Sequence, residues 1–483
     1  MSLDIRSVIT FAGIPRRRFC ATAAGVLLSL HMGLLPAQDA APAASPPAAQ
    51  NPPPAADPPQ QPAAQPAAQP AAQPAAQPAA NPGPQPGDCI SQVLEEQRKT
   101  RELRELRNPL PHPDKDTATR IRRDYLRLLA EGYASAADVK IIQDHLNYSL
   151  LRATEADFVS SPSNVQQLLK EVESDVQRAG SNIGNPANQL AARKKFCADV
   201  LAAIRPLLTN SLDARVTGVS AIKLLHEVRA VQGGALAKIH PDALTALLDV
   251  LAADDQPNSV KAVTAGALRY VLRNCDLIET EQFRISDAIT TQLERKCTEA
   301  GYQIVLLEAL FEIRRARKTV GQPEPTAMKS FAAVLDDRTR PVEVRCLAAM
   351  GIGRGAWDTQ MRPEPFAWKI AQLAGDTAIE FNRDPGNAKW PSCGASLIFA
   401  FRHITEAEAT PQNPAERKGL VNRAGTTAKS VADAAPLVKI VGIGLINNSA
   451  PFPADQLVPL AQWLQANRPE NLKWDENLPP LTP

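Results

Sequence analysis

The feature that most constrains what this chain can fold into is a quartet of apolar or small residues at i, i+3, i+4 and i+7. Quartets begin at Ala221 (Leu224, Leu225, Val228), Val260 (Val263, Thr264, Ala267) and Leu306 (Ala309, Leu310, Ile313). They continue at Val344 (Leu347, Ala348, Gly351), Leu397 (Ala400, Phe401, Ile404) and Leu437 (Ile440, Val441, Gly444). This spacing lays each quartet along one face of an α-helix. Successive starts lie about 43 residues apart, the length of a two-helix repeat unit. A second Leu/Ala-rich helix precedes most of them: Ala243–Leu251, Ile285–Leu293, Ala327–Leu335 and Phe366–Ile379. From Asp88 onward no segment alternates as a strand does, so the folded part is expected to be all-α. An isolated helix pair cannot bury its own stripe, and the expected architecture is an α-solenoid of antiparallel helix pairs sharing one elongated core.

One turn and helix carries a more specific pattern. Asp336-Asp337 … Pro341-Val342-Glu343-Val344-Arg345-Cys346-Leu347-Ala348 resembles the HEAT consensus, an Asp followed by V-R-x-x-A. Asp254-Asp255 … Ser259-Val260-Lys261-Ala262-Val263 and Asp213-Ala214-Arg215-Val216 are similar to it. The resemblance to HEAT-repeat (armadillo-type helical) proteins spans roughly residues 190–470, and residues 191–470 are assigned to such repeats. It implies a concave face, made by the second helix of each pair, that binds another protein.

The segments before the repeats divide by composition. Residues 1–38 carry Arg6, Arg16, Arg17 and Arg18, then an uncharged stretch from Cys20 to Leu35 and a small-residue stop at Pro36-Ala37-Gln38, the pattern of a signal peptide. At 16 residues the apolar stretch is short for a membrane span, so cleavage after Ala37 is expected, with an uncleaved membrane anchor as the alternative. Residues 39–87 are a Pro/Ala/Gln-rich tether in which Gln-Pro-Ala-Ala runs five times over 61–80. Proline at every fourth position stops helix and sheet, and the composition builds no core, so a disordered, polyproline-biased spacer reaching on the order of 150 Å is expected. Residues 88–190 read as helical but off-period, with Leu94–Leu106 a charged amphipathic helix and Ile121–Leu129 paired with Val139–Leu151 across Gly132. They are assigned as an N-terminal capping region, and residues 471–483 as an extended C-terminal tail. Ser163-Asn164-Val165-Gln166 reads as a capping box opening the helix through Leu168, Val172 and Val176.

Charge excludes one class of partner. Of the 53 basic and 51 acidic residues of the chain, 49 and 48 lie from Asp88 onward, which leaves no field to attract nucleic acid or an anionic membrane. The membrane is expected to be met only through an uncleaved N-terminal segment.

The residues that chemistry needs do not assemble into a catalytic motif. His226-Glu227 lacks the second His of a zinc-protease pattern, and His145 beside Asp144 and His240 before Pro241 read as packing or capping residues. Cys393 and His403 are too far round one helix to act together. Gly351-Ile352-Gly353-Arg354-Gly355 follows a helix, so it is expected to be a helix end with left-handed caps and not a dinucleotide loop. No cofactor or metal is expected. Export implies an oxidising compartment, where Cys89, Cys197, Cys275, Cys297, Cys346 and Cys393 are available to pair; Cys297 with Cys346 is the candidate disulfide.

These residues point to an exported non-enzymatic scaffold or adaptor, in the periplasm, cell wall or outside the cell, that binds another envelope protein. Its candidate surface comprises Lys261, Arg269, Arg345 and Arg354 on second helices, with Trp357, Trp368 and Trp390 in the irregular stretch 355–391. That stretch has two readings: an aromatic recognition patch, or apolar residues tucked onto the core. Two alternatives remain: an α/α-toroid-like polysaccharide-active enzyme, for which Asp384 with Trp390 is the neighbourhood to inspect, and a structural envelope spacer.

Overall fold

The computed structural model describes residues 86–228, 236–295, 298–318, 324–402, 419–423, 429–447 and 449–482, with side chains from Ser91 onward. The signal segment and all of the tether before Pro86 lie outside the described residues, as do Cys297 and His403 and the side chain of Cys89.

The described chain is mostly helical with almost no strand. The first part holds α1 (Pro86–Glu105), α2 (Lys115–Glu131), α3 (Ala136–Leu151), α4 (Ala156–Val159), α5 (Pro162–Arg178), α6 (Pro186–Ile204) and α7 (Leu212–Ile222). A short antiparallel hairpin, β1 (His226–Val228) and β2 (Lys238–Ile239), follows. Then come α8 (Pro241–Ala252), α9 (Asn258–Asn274), α10 (Glu279–Leu293), α11 (Ala300–Leu310), α12 (Thr326–Asp336) and α13 (Val342–Arg354). The last five are α14 (Pro363–Arg383), α15 (Trp390–Phe401), α16 (Leu420–Arg423), α17 (Lys429–Asn447) and α18 (Ala454–Ala466).

Packing follows alternation along the chain. Helices α7, α9, α11, α13, α15 and α17 each contact the next, and α8, α10, α12, α14 and α18 do likewise. Between these two series, α8 packs on α9, α10 on α11, α12 on α13 and α14 on α15. The apolar stripes explain this order, because each helix has two neighbours to cover: Val260, Leu306, Val344, Leu397, Val438 and Val441 are all buried in one cluster. Fully burying a side chain of this size contributes about 1.5–3 kcal/mol. Helix α17 is the one described helix long and apolar enough to cross a membrane; it packs on α14, α15 and α18 and buries Val431, Ala434 and Leu445.

A recurring polar residue marks the start of these helices. The fourth residue of α7, α9, α11 and α13 is Arg215, Lys261, Gln303 and Arg345, all buried. Arg215 Nε donates to Asn210 O at 2.8 Å, Gln303 Nε2 to Thr298 O at 2.9 Å and Arg345 Nε to Leu335 O at 3.1 Å. The residue two places before the helix joins one unit to the next. Gln256 accepts from Arg215 Nη1 and donates to Leu208 O, both at 2.9 Å, and Arg340 donates to Gln303 Oε1 at 2.7 Å and to Leu293 O at 2.5 Å. Turn carbonyls that would be left unpaired in the interior are satisfied in this way.

Several local expectations need correction. The first quartet runs past its helix: α7 ends at Ile222 and Val228 lies in β1, because His240 N bonds back to Leu225 O and draws the chain into a hairpin ahead of Pro241. Helix α5 starts at Pro162, suited to a first position where no N–H is needed, so Ser163 is inside the helix and makes no capping box. The glycines of 351–355 are not left-handed caps. Helix α13 continues to Arg354, and Gly353 instead lets α13 touch α15, since a Cβ there would overlap the Ala400 carbonyl. Helix α1 does more than cap one end: Glu96 accepts from Asn258 N at 3.1 Å and Gln97 donates to Glu299 at 3.2 Å, so α1 crosses the starts of α9 and α11.

The tail after α18 has no regular structure but is anchored. Lys369, buried on α14, donates to Thr482 O at 2.7 Å and lies 2.8 Å from Asp336, whose carboxylate also accepts from Thr482 N and Oγ1. Trp474 packs on Phe366 at 4.9 Å, and buried Asp475 pairs with Arg317.

Candidate functional site

The residues expected to form a binding surface are placed apart, and most face inward. Lys261 is 1% exposed and Arg345 8%, which corrects their assignment as solvent-facing; both are helix-start residues turned into the core. Arg269 pairs with Glu308, with Glu312 at 3.7 Å. The half-buried Arg354 guanidinium lies 4.6 Å above the Phe399 ring. The tryptophans form no common patch. Trp357 donates to Ile352 O at 2.6 Å and meets Phe366 edge-on. Trp368 donates to Leu464 O at 3.0 Å, and Trp390, 1% exposed, donates to Asp384 O at 2.6 Å. An indole whose ring is covered and whose N–H is satisfied internally has little left to offer a partner. Asp384 itself sits in an exposed turn, accepting from Asn387 Nδ2 at 3.1 Å. Cys346 is a free, buried thiol 3.8 Å from Thr377 Oγ1 and against the thiol of Cys393. Its expected partner, Cys297, lies outside the described residues.

The structure instead brings together a cleft in the first helical region. It lies among α2, α3 and α5, has a volume of about 390 Å³, and is also lined by Arg152 and Phe158. Each helix contributes a polar stripe at helical spacing: Lys115, Thr119, Arg122 and Tyr125 from α2; His145, Tyr148 and Ser149 from α3; Gln167, Glu171, Ser174, Asp175 and Arg178 from α5. The apolar stripe of α5, Val165, Leu168, Val172 and Val176, is buried and fixes its rotation, with Leu168 also at the cleft. Asp114 and Ser135 cap the starts of α2 and α3, accepting from Thr117 N at 2.7 Å and Asp138 N at 3.1 Å. Gly132, at φ 89, makes the turn between them in the left-handed region where glycine is favoured.

The back wall is rigid. Tyr125 stacks on His145 with ring centroids 3.8 Å apart, and its hydroxyl donates to Asp175 Oδ2 at 2.6 Å. Burial pushes the Asp175 carboxyl up to about 6, against the opposing pull of the Tyr125 hydrogen bond, Arg178 and Arg122. Burial, and then the Arg122 charge, push His145 down to about 4, so the imidazole is neutral at pH 7. Its Nδ1 has no hydrogen-bond partner among the described residues. Burial also raises Tyr125 well above its ordinary value, so the phenol stays protonated and serves as a donor. Arg152 rests between two rings, its guanidinium carbon 4.3 Å from the Phe158 centroid and 5.1 Å from that of Tyr148. Four cations and two carboxylates on a preformed wall suit recognition of a charged ligand.

The signal that would have found this cleft was local. Arg122 with Tyr125, His145 with Tyr148, and Glu171 with Asp175 and Arg178 recur at i+3 or i+4, a polar periodicity on the same helices as the apolar one. No group of three or more metal-binding side chains occurs among the described residues. Comparison with protein-family models, with curated proteins and with solved structures finds no match for the chain.

Proposed function

We propose that this chain is an exported, non-enzymatic scaffold or adaptor, a HEAT-like α-solenoid carried on a Pro/Ala/Gln tether and binding another envelope protein along the series α9 to α17. The observation that supports this most is the equivalence of Arg215, Lys261, Gln303 and Arg345, each buried at the fourth position of successive contacting helices. A repeated unit that seals its own turns leaves the outer faces of its helices free to vary for recognition. The binding face in this reading passes from Lys261 and Arg345 to the ion pairs that α9 makes with α11 and the turn after it, Arg269 with Glu308 and Arg273 with the buried Glu312. Such pairs contribute little to stability and give electrostatic complementarity to a partner of mixed charge.

The test is a photo-crosslinking amino acid placed at Arg273, with one at exposed Arg284 on α10 as control, in the full-length protein produced in its own host. A discrete crosslinked envelope protein from position 273, much weaker from 284, is the expected result. No adduct from 273 with a correctly folded chain rules the adaptor reading out. N-terminal sequencing of the mature protein checks export separately, with a chain beginning just after Ala37 as the expected product.

A further inference from the structure

We propose that the cleft among α2, α3 and α5 is a binding site for a small acidic sugar, a six-membered polyol ring bearing one carboxylate, of the uronic-acid type. This goes beyond the scaffold reading and does not depend on it.

The volume, about 390 Å³, falls within the range of small-molecule sites. The lining is net positive, with four cations against the carboxylates Glu171 and Asp175. Lys115, Arg122, Arg152 and Arg178 line one cleft, and none of them is in an ion pair among the described residues. An excess of cations over carboxylates favours an anion.

Arg152 selects the kind of anion. Its planar guanidinium, held between the Tyr148 and Phe158 rings, is a preoriented fork, and a carboxylate is the planar two-oxygen group that such a fork fits. The remaining lining asks for more than a bare ion. Ser149 and Ser174 supply hydroxyls, and Glu171 and Asp175 supply acceptors that would repel an anion with no hydroxyl groups to donate to them. Hydroxyl donors facing the carboxylates and a carboxylate facing Arg152 together describe an acidic sugar.

The experiment is titration calorimetry on the full-length protein, with glucuronate, glucose, inorganic phosphate and a short Glu-terminated peptide as separate probes. Glucuronate should bind saturably, at least tenfold more tightly than glucose or phosphate. Arg152→Met, which keeps the aliphatic packing, should weaken glucuronate at least tenfold, while Arg284→Gln, exposed on α10, should leave it unchanged. Glu171→Gln, at an exposed position that does not threaten folding, should change glucuronate affinity and leave phosphate affinity unchanged or stronger. An unchanged thermal midpoint in each variant keeps the comparison about binding. Absence of glucuronate binding, equal binding of phosphate, preference for the peptide, or an unaltered affinity in Arg152→Met would each overturn the proposal.

Discussion

The region from α2 to α6 and the series from α7 to α17 are both helical, yet they use their buried polar groups in opposite ways. In the later series, Arg215, Gln256, Gln303, Arg340 and Arg345 reach turn carbonyls and one another, so polarity holds successive helices together. In the earlier region, tyrosine hydroxyls meet carboxylates, Tyr125 with Asp175 and Tyr133 with Asp199, and the charged ends of neighbouring side chains open into a cleft. The contrast teaches that a repeated array and a binding pocket can be built from the same amphipathic helices. What differs is whether the polar stripe meets a turn or a space.

The sharpest way to break this contrast is to remove a polar joint from the later series. Lys369→Ala leaves Asp336 partly buried without its cation and frees the tail at Thr482, so a loss of about 3–5 kcal/mol is expected by urea denaturation. Tyr125→Phe, in the earlier region, removes one hydrogen bond and should cost only about 1–2 kcal/mol. Equal losses would mean that the two regions do not differ in how polarity stabilises them. Close packing gives the next effect. At Gly353 an added methyl meets backbone of α15 that cannot swing aside, so Gly353→Ala should cost about 3 kcal/mol or more. A neutral result would show that α13 and α15 are not locked together.

These two positions also show where sequence is legible and where it is not. The helices carrying the quartets at Val260, Val344 and Leu437 could be read because periodicity is written along one short segment. Gly353 reads as a cap from its neighbours in sequence, since the Ala400 carbonyl it accommodates lies 47 residues away. Arg345 reads as solvent-facing for the same reason: its burial is satisfied by the Leu335 carbonyl in the preceding turn, which spacing does not reveal. The tail offered no periodicity, and its anchor, Lys369, sits on another helix. Trp368 and Trp390 looked conspicuous in a chain with five tryptophans, but their indole N–H groups are met by Leu464 and Asp384 carbonyls that spacing alone does not reveal.

Acid titration gives a middle-sized effect specific to the cleft. Asp175 titrates near 6 when folded against an ordinary 3.8, so between those values the folded chain keeps a proton that the unfolded chain has released. Its stabilising contribution is present below about pH 4 and is lost as pH rises through 6. His145 behaves in the opposite sense. Lowered from 6.5 to about 4, it leaves the unfolded chain holding the extra proton, so stability grows as pH rises from 4 to 6.5. Each contribution is of order 1–3 kcal/mol after solvent screening, and they nearly cancel. The charges nearby are Arg122 from α2 and Glu171 and Arg178 on α5 itself. The parent protein should therefore show a nearly flat contribution from this wall between pH 4 and 6. Asp175→Asn should add an upward slope with pH and His145→Phe a downward one, read from urea midpoints at pH 4, 5, 6 and 7. Single variants with the same slope as the parent would show that the wall does not titrate as a coupled unit.

The smallest expected effect has the opposite sign to the Gly353 change, and that is its value. Gly266 lies inside α9, in the same contacting series, but a Cβ built there has no neighbour within 4 Å. With no steric cost, only the backbone effect remains: glycine in a helix interior is about 0.5–1 kcal/mol less favourable than alanine, because it loses more conformational freedom on folding. Gly266→Ala should raise stability by that amount, a modest shift of the urea midpoint with no change in slope. If it destabilises instead, α9 is packed as closely as α13, and close approach is a property of the whole series. If it stabilises while Gly353→Ala destabilises, tight contact is confined to the α13–α15 end, and the α7–α9–α11 end is held by its turn-sealing polar residues.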